Sequence, residues 1–158
     1  MNALHLLLTG IGGTEIALTL NRVAVGAFFL LSGFHKLFNP ERHRAIVAEL
    51  TALGVPRVWF NQWWVPLVEF TGGAGVVFGF LAPLAALGLL VITLVALATS
   101  GRQRMRVTRV IDRADRLDDW LYLPETLYAI MLILVISAGA GPYSVDAVAL
   151  RLMNGHGT

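Results

Sequence analysis

Cysteine is absent from this chain of 158 residues. That excludes disulfides, thiolate metal sites, iron–sulfur ligation and thiol redox chemistry by the chain alone. Charge is scarce as well: Asp, Glu, Lys and Arg make up 14% of the residues, against roughly a quarter in ordinary globular proteins. Histidine is sparse and poorly placed for haem, because bis-histidine ligation needs two opposed ligands. Only His35 lies near a long apolar run, whereas His5, His43 and His156 fall in loops or near the termini. No Glu-x-x-His pair of the kind that builds a di-metal bundle site occurs. The glycines of TGGAGVVFG sit inside an apolar run with no strand before them, which argues against a dinucleotide or flavin loop. No Walker sequence and no Ser–His–Asp set appears. The first residues, MNALHLLLTGIGGTE, lack the positive charge of a signal peptide, so the segment is expected to be retained.

What fills the space is apolar. Hydrophobic residues make up 56% of the chain, and the mean hydropathy is +0.70. The charges that remain are segregated, and the runs between them reach the ~18–20 residues that cross a bilayer. The expectation is an all-α, polytopic membrane protein forming a single membrane domain over residues 1–158. Four transmembrane helices are expected at about 16–38, 63–81, 84–99 and 120–140. Two interfacial amphipathic helices are expected at about 40–53 and 102–119. In such a protein a net charge of +2 held in loops speaks of topology and anionic lipid, not of nucleic acid.

The first span carries Arg22, Gly26, Phe29, Gly33 and Lys36 at spacings of four, three, four and three, which places them on one helix face. Arg22 and Lys36 are 14 residues apart, or about 21 Å along a helix. Arg22 is therefore expected at the outer border, snorkelling to water and paired with Glu15 or Asp146. Asn39, Pro40 and Glu41 open the first interfacial helix, with Ile46, Val47, Leu50 and Leu53 on one side and Arg42, His43, Arg44 and Glu49 elsewhere. Trp59, Trp63 and Trp64 read as an aromatic belt. Gly75 and Gly79 form a GxxxG pair that permits close helix contact. Ala82 and Pro83 read as a tight turn, and the featureless third span as lipid-facing. The stretch from Gly101 to Asp119 is expected to be a basic interfacial helix that holds topology or docks a partner. Ten of the twelve Lys and Arg residues lie in the two long loops, which puts those loops in the cytoplasm and both termini outside. The halves share a layout: Trp63, Pro66 and Glu69 in one, Trp120, Pro124 and Glu125 in the other, consistent with a parallel repeat.

Intramembrane carboxylates are costly and are functional candidates by default. Glu69 and Glu125 should each sit about 8–9 Å past their belt tryptophans, in one layer with Lys36 and His35. Three readings are open. One is a structural ion pair of Lys36 with Glu69 or Glu125. A second is a quinone head-group or proton-handling site with Trp64, Phe70 and Tyr128. The third is a metal site of Glu69, Glu125 and His35, disfavoured by the missing Glu-x-x-His motif. The candidate polar cluster is thus Lys36, His35, Glu69, Glu125 and Tyr128, with no catalytic residue assigned and no metal expected.

The pattern R-x-x-x-G-x-x-F-x-x-S-G-x-x-K-L, here Arg22, Gly26, Phe29, Ser32, Gly33, Lys36 and Leu37, resembles the first helix of the DoxX family. The likeness continues through Asn39-Pro40, Gly54-Val55-Pro56, Glu69 with Gly72-Gly73, Gly79 and Glu125. It ends at GPYSVD (Gly141 to Asp146), similar to the family's closing G-P-G-x-Y-S-[LV]-D with one glycine missing or shifted. The arginine-rich insert around Arg102 to Asp119 departs from shorter relatives. The resemblance implies a four-helix integral membrane protein of the bacterial inner membrane. It also implies a subunit of a quinone-linked redox complex that anchors or assembles other subunits, with quinone as the candidate cofactor and none bound covalently. The alternatives are a small-molecule carrier or permease that uses its intramembrane carboxylates, and a purely structural accessory subunit.

Overall fold

The computed structural model describes residues 13–103, 120–121 and 123–154. The N-terminal segment, with His5, and the C-terminal His156 lie outside the described residues, as does nearly all of the basic helix expected at 102–119. Every regular element among the described residues is helical. They are α1 (Thr14–Phe38), α2 (Pro40–Ala52), α3 (Val58–Phe78), α4 (Ala82–Ala96), α5 (Pro124–Ala138) and α6 (Val145–Asn154). A π-helical turn, Leu97–Gly101, continues α4.

Two segments, Thr14–Phe38 and Ala82–Gly101, are long and apolar enough to cross a membrane. At 25 residues, α1 is about 37 Å long, more than the ~30 Å of a hydrocarbon core. The distribution of side chains fits that solvent. Leu20, Leu31, Phe34, Leu84, Val91, Leu94, Leu127, Ile130 and Ile133 are exposed, while the interior is built largely from small residues.

Close approach of α1 and α3 organises the bundle. Their contact is the most extensive in the fold, followed by that of α4 with α5. On α1 the buried residues are Arg22, Val25, Gly26, Phe29 and Gly33, so the face read from spacing is the packing face down to Gly33. A Cβ on Gly33 would overlap the backbone nitrogen of Phe70 and come within 2.7 Å of the Pro66 carbonyl. A Cβ on Gly73 would overlap the Leu30 nitrogen. Backbone lies against backbone at both points, which only glycine permits.

The expected GxxxG pair works differently. Gly75 faces Ala85 of α4, and Gly79 stands outside the helix as its C-cap with φ +68°. Phe80 N–H closes back onto the Gly75 carbonyl at 2.9 Å, a C-terminal turn that favours a left-handed glycine. The connection to α4 is therefore Gly79 to Leu81, and Ala82 and Pro83 open the helix instead of forming the turn.

The third span, expected to face lipid, has an exposed apolar face (Leu84, Leu87, Val91, Leu94) and also a packing face that the expectation left out. Ala82, Ala86, Leu89 and Thr93, spaced four, three and four, are all buried, and three of them join the core with Val25, Phe29, Val76, Leu132 and Val135. Small side chains at two of these positions hide a packing face that hydropathy alone does not reveal. Lastly, α5 begins at Pro124, after Leu123 adopts extended backbone. The continuous helix assumed from Trp120 does not form, and Glu125 sits in the first turn of α5.

Candidate functional site

Lys36 lies in the last turn of α1, one turn below Ser32. Glu69 lies mid-way along α3, on the face that Gly33 allows to close on α1. The Lys36 ammonium donates to both Glu69 oxygens at 2.7 Å, and the Ser32 hydroxyl donates to Oε2 at 3.1 Å. Glu69 is only 5% exposed, so its charge depends on these donors rather than on water. Lys36, the chain's only lysine, therefore pairs with Glu69.

Around this pair is a cavity of about 570 Å³, within the size range of small-molecule sites. Its walls come from α1, α2, α3, α4 with its π turn, and α5. The apolar lining includes Phe28, Phe29, Ile46, Leu50, Val65 and Ile92. The charged lining is Lys36, Glu49, Glu69 and Glu125. Tyr128, one turn after Glu125, also lines it and stacks on Phe28 with ring centroids 4.1 Å apart. The cavity thus brings together Lys36, Glu69, Glu125 and Tyr128. It does not include His35, which is exposed and packs its ring edge-on to Phe34. The metal reading loses its histidine accordingly, and among the described residues no three His, Asp or Glu side chains converge on a point.

Two polar residues were missed by sequence reasoning. Glu49 projects from α2 to the cavity rim and accepts a 2.8 Å hydrogen bond from the Ser100 hydroxyl. The signal for Glu49 was available: Ile46, Glu49, Leu50 and Leu53 are spaced three, one and three, and all four line the cavity. Ser100 carried no signal, because its direction depends on the π turn of Leu97–Gly101. Such turns arise as local insertions and are common at functional sites. His43 follows a different course: its Nδ1 lies 3.1 Å from the Lys36 carbonyl and its ring rests on Trp63.

The other end of the bundle holds a second polar assembly. Arg22 is only 3% exposed, which corrects the expectation that it snorkels to water. Its Nη2 donates to the Tyr143 carbonyl at 2.7 Å, while Nε and Nη1 are buried without hydrogen-bond partners. Asp146 is near enough for its charge to act on Arg22, but its carboxylate serves the backbone. Oδ1 accepts from Leu81 N–H at 2.9 Å and Oδ2 from Ala82 N–H at 3.2 Å. It thereby caps α4. Ser144 Oγ accepts from Ala147 N–H at 3.1 Å and so opens α6. The closing residues Tyr143, Ser144 and Asp146 thus fasten α1, α4 and α6 together.

With this geometry in place, comparison with known proteins adds one finding. The DoxX family model matches residues 17–102, more than half of the chain. The matched stretch contains Arg22, Ser32, Lys36, Glu49, Glu69 and Ser100; Glu125, Tyr128 and Asp146 lie beyond it. No curated protein and no solved structure matches the chain.

Proposed function

The chain belongs to the DoxX family of membrane proteins, and from that premise we propose that it is an integral subunit of a redox-linked complex, whose bundle holds the ring head group of a quinone. The observation that carries this reading is the cavity of about 570 Å³. Its apolar walls suit an amphiphile, and its polar groups cluster at the Lys36 end. Phe28, Tyr128 and Trp64 offer ring surfaces, and Lys36, Glu69 and Glu125 offer hydrogen-bonding and proton-handling groups at the same place.

In this reading α1, α3, α4 and α5 are four spans. The 21 residues of α3 give about 31 Å, and the 15 of α5 about 22 Å, the short member of the set. The loops after α1 and α4 face the cytoplasm, where their arginines favour the anionic leaflet and partner subunits. The membrane is the bacterial inner membrane, with both termini outside.

The test is purification in mild detergent, transfer to nanodiscs, and solvent extraction with quantification of quinone. Near-equimolar quinone is expected, falling several-fold in Ala96→Phe, which fills the cavity from α4. Quinone at the level of bulk lipid carry-over, unchanged in that variant, would count against the reading.

The Lys36–Glu69 pair favours one competing reading, an accessory subunit in which the pair merely holds α1 to α3. That reading expects Glu69→Gln to lower abundance of the complex and leave the turnover of the remainder intact.

A further inference from the structure

The walls of the cavity are not all interior. Trp64 on α3 and Val91 and Val95 on α4 line it, and each is also half exposed or more on the outside of the bundle. Side chains that do both mark an opening, and the seam between α3 and α4 supplies one. Near the turn that joins the two helices the seam is tight. A Cβ on Gly75 would come within 3.1 Å of the Ala85 side chain, and one on Gly72 within 3.1 Å of Leu89. One turn of α3 closer to Lys36 the fit slackens, and a Cβ on Gly88 would stand 3.8 Å from Val68. Beyond that point Asn61 and Val65 on α3, and Ile92 and Thr99 on α4, line the cavity. The seam between α1 and α5 differs. Phe28 is exposed there and lines the cavity too, but its ring stacks on Tyr128 at 4.1 Å, so two rings cover that side.

Depth gives the opening a surrounding. Val91 and Val95 lie nine and thirteen residues past Ala82, about 14 and 20 Å along α4. In a hydrocarbon core of ~30 Å the opening therefore runs from the midplane into the half nearer Lys36, at the level of acyl chains. We propose that the α3–α4 seam is a lateral portal into that leaflet, and that it carries the hydrocarbon tail of an amphiphile whose ring head lies beside Lys36 and Glu69. This rests on the quinone reading given above and deepens it, by assigning the path of the tail. A cavity of about 570 Å³ takes a ring and the first part of a chain, and the tail of a membrane quinone runs well past that. Apolar chain that leaves the protein into hydrocarbon keeps its favourable surroundings, whereas chain that leaves into water loses them. Trp64, Val91 and Val95 are thus tail-guiding residues, distinct from the polar groups that meet the head.

The experiment uses the full chain in nanodiscs and two probes with one ring: a ubiquinone analogue carrying a diazirine midway along its chain, and the same ring with a methyl group in place of the chain. After photolysis, adducts are mapped by mass spectrometry with and without excess of the tailed quinone lacking the diazirine, so that labelling from bulk lipid is recognised because it is not competed. Competed adducts are expected on Trp64 and on Val91 to Val95. Val95→Phe narrows the portal at a side chain that already faces outward, and should weaken the tailed probe several-fold more than the tail-free one. Competed adducts on Phe28, on Tyr128 or at any other seam overturn the portal while leaving the pocket standing. So does a Val95→Phe variant that binds the tailed probe as wild type does, or that weakens both probes alike. No saturable binding of either probe overturns the portal and the quinone reading together.

Discussion

The two halves of the Lys36–Glu69 pair are not equally dispensable. The Glu69 side chain is 7% exposed and the Lys36 side chain 27%. Lys36→Met leaves a buried carboxylate with the Ser32 hydroxyl as its donor. Orphaning one member of a buried pair costs about 3–5 kcal/mol, and the partial water access of this pair brings the expectation to about 3 kcal/mol. Glu69→Gln leaves the opposite orphan. The ammonium reaches solvent and still finds the amide oxygen of the substituted side chain, so the loss is about 1–2 kcal/mol. The double variant should cost less than the sum of the two by about 1–3 kcal/mol, the signature of direct coupling. The assay is reversible unfolding in mixed micelles with a rising SDS fraction, followed by fluorescence of the chain's four tryptophans. If Glu69→Gln costs as much as Lys36→Met, burial does not set the asymmetry. If the double variant is additive to within about 0.5 kcal/mol, the two side chains do not act as a pair.

Three further outcomes are expected. Gly33→Ala pushes a methyl group onto the backbone of Phe70 and Pro66 and should destabilise by about 1–3 kcal/mol; Gly88→Ala, whose Cβ would meet nothing closer than 3.8 Å, should stabilise by about 0.5–1 kcal/mol, and the same micelle titration checks both signs. Gly79→Ala combines a left-handed backbone with a clash against Arg22, and should cost more than Asp146→Ala, which removes the two α4 cap bonds at about 1–2 kcal/mol; equal losses would mean that the turn relaxes freely. Because the chain has no cysteine of its own, Arg42→Cys, Arg102→Cys and Met153→Cys can each be probed singly with a membrane-impermeant maleimide. The first two should label from the cytoplasmic side and the third from the other, and labelling of Arg42→Cys and Arg102→Cys from opposite sides would break the four-span topology.

Spacing exposed the part of this fold that repeats. Arg22, Gly26, Phe29 and Gly33 announced a packing face because a small-residue stripe has the helical period, and Asn39-Pro40 announced a cap that forms, with Asn39 Oδ1 accepting from Glu41 N–H at 2.9 Å. Lys36 and Glu69 were legible as candidates because charge is rare in so apolar a chain. Hidden were features set by tertiary context. The core role of Ala82 and Ala86 depends on α5 lying over them. The start of the last long helix at Pro124 was hidden because an apolar run gives no sign that Leu123 takes extended backbone. Arg22 looked like a snorkelling anchor because its partner is a backbone carbonyl, which has no signature in sequence. Glu49 is placed by the sequence reading away from the apolar side of its helix, although it shares the cavity-lining face of Ile46, Leu50 and Leu53.

The contact between Arg22 and Tyr143 also imposes an order on biogenesis. The two residues are 121 positions apart, so at ribosomal speed on the order of ten seconds pass between their syntheses. Through that interval α1 must reside in the membrane with a guanidinium that its own sequence cannot satisfy. Asp146, which fixes the start of α4, arrives later still. The nascent bundle therefore passes through a stage in which its first helix is inserted but unsealed. Until Tyr143 is made, the carbonyl that Arg22 will meet does not exist, so the seal at this end of the bundle is among the last contacts the chain can form.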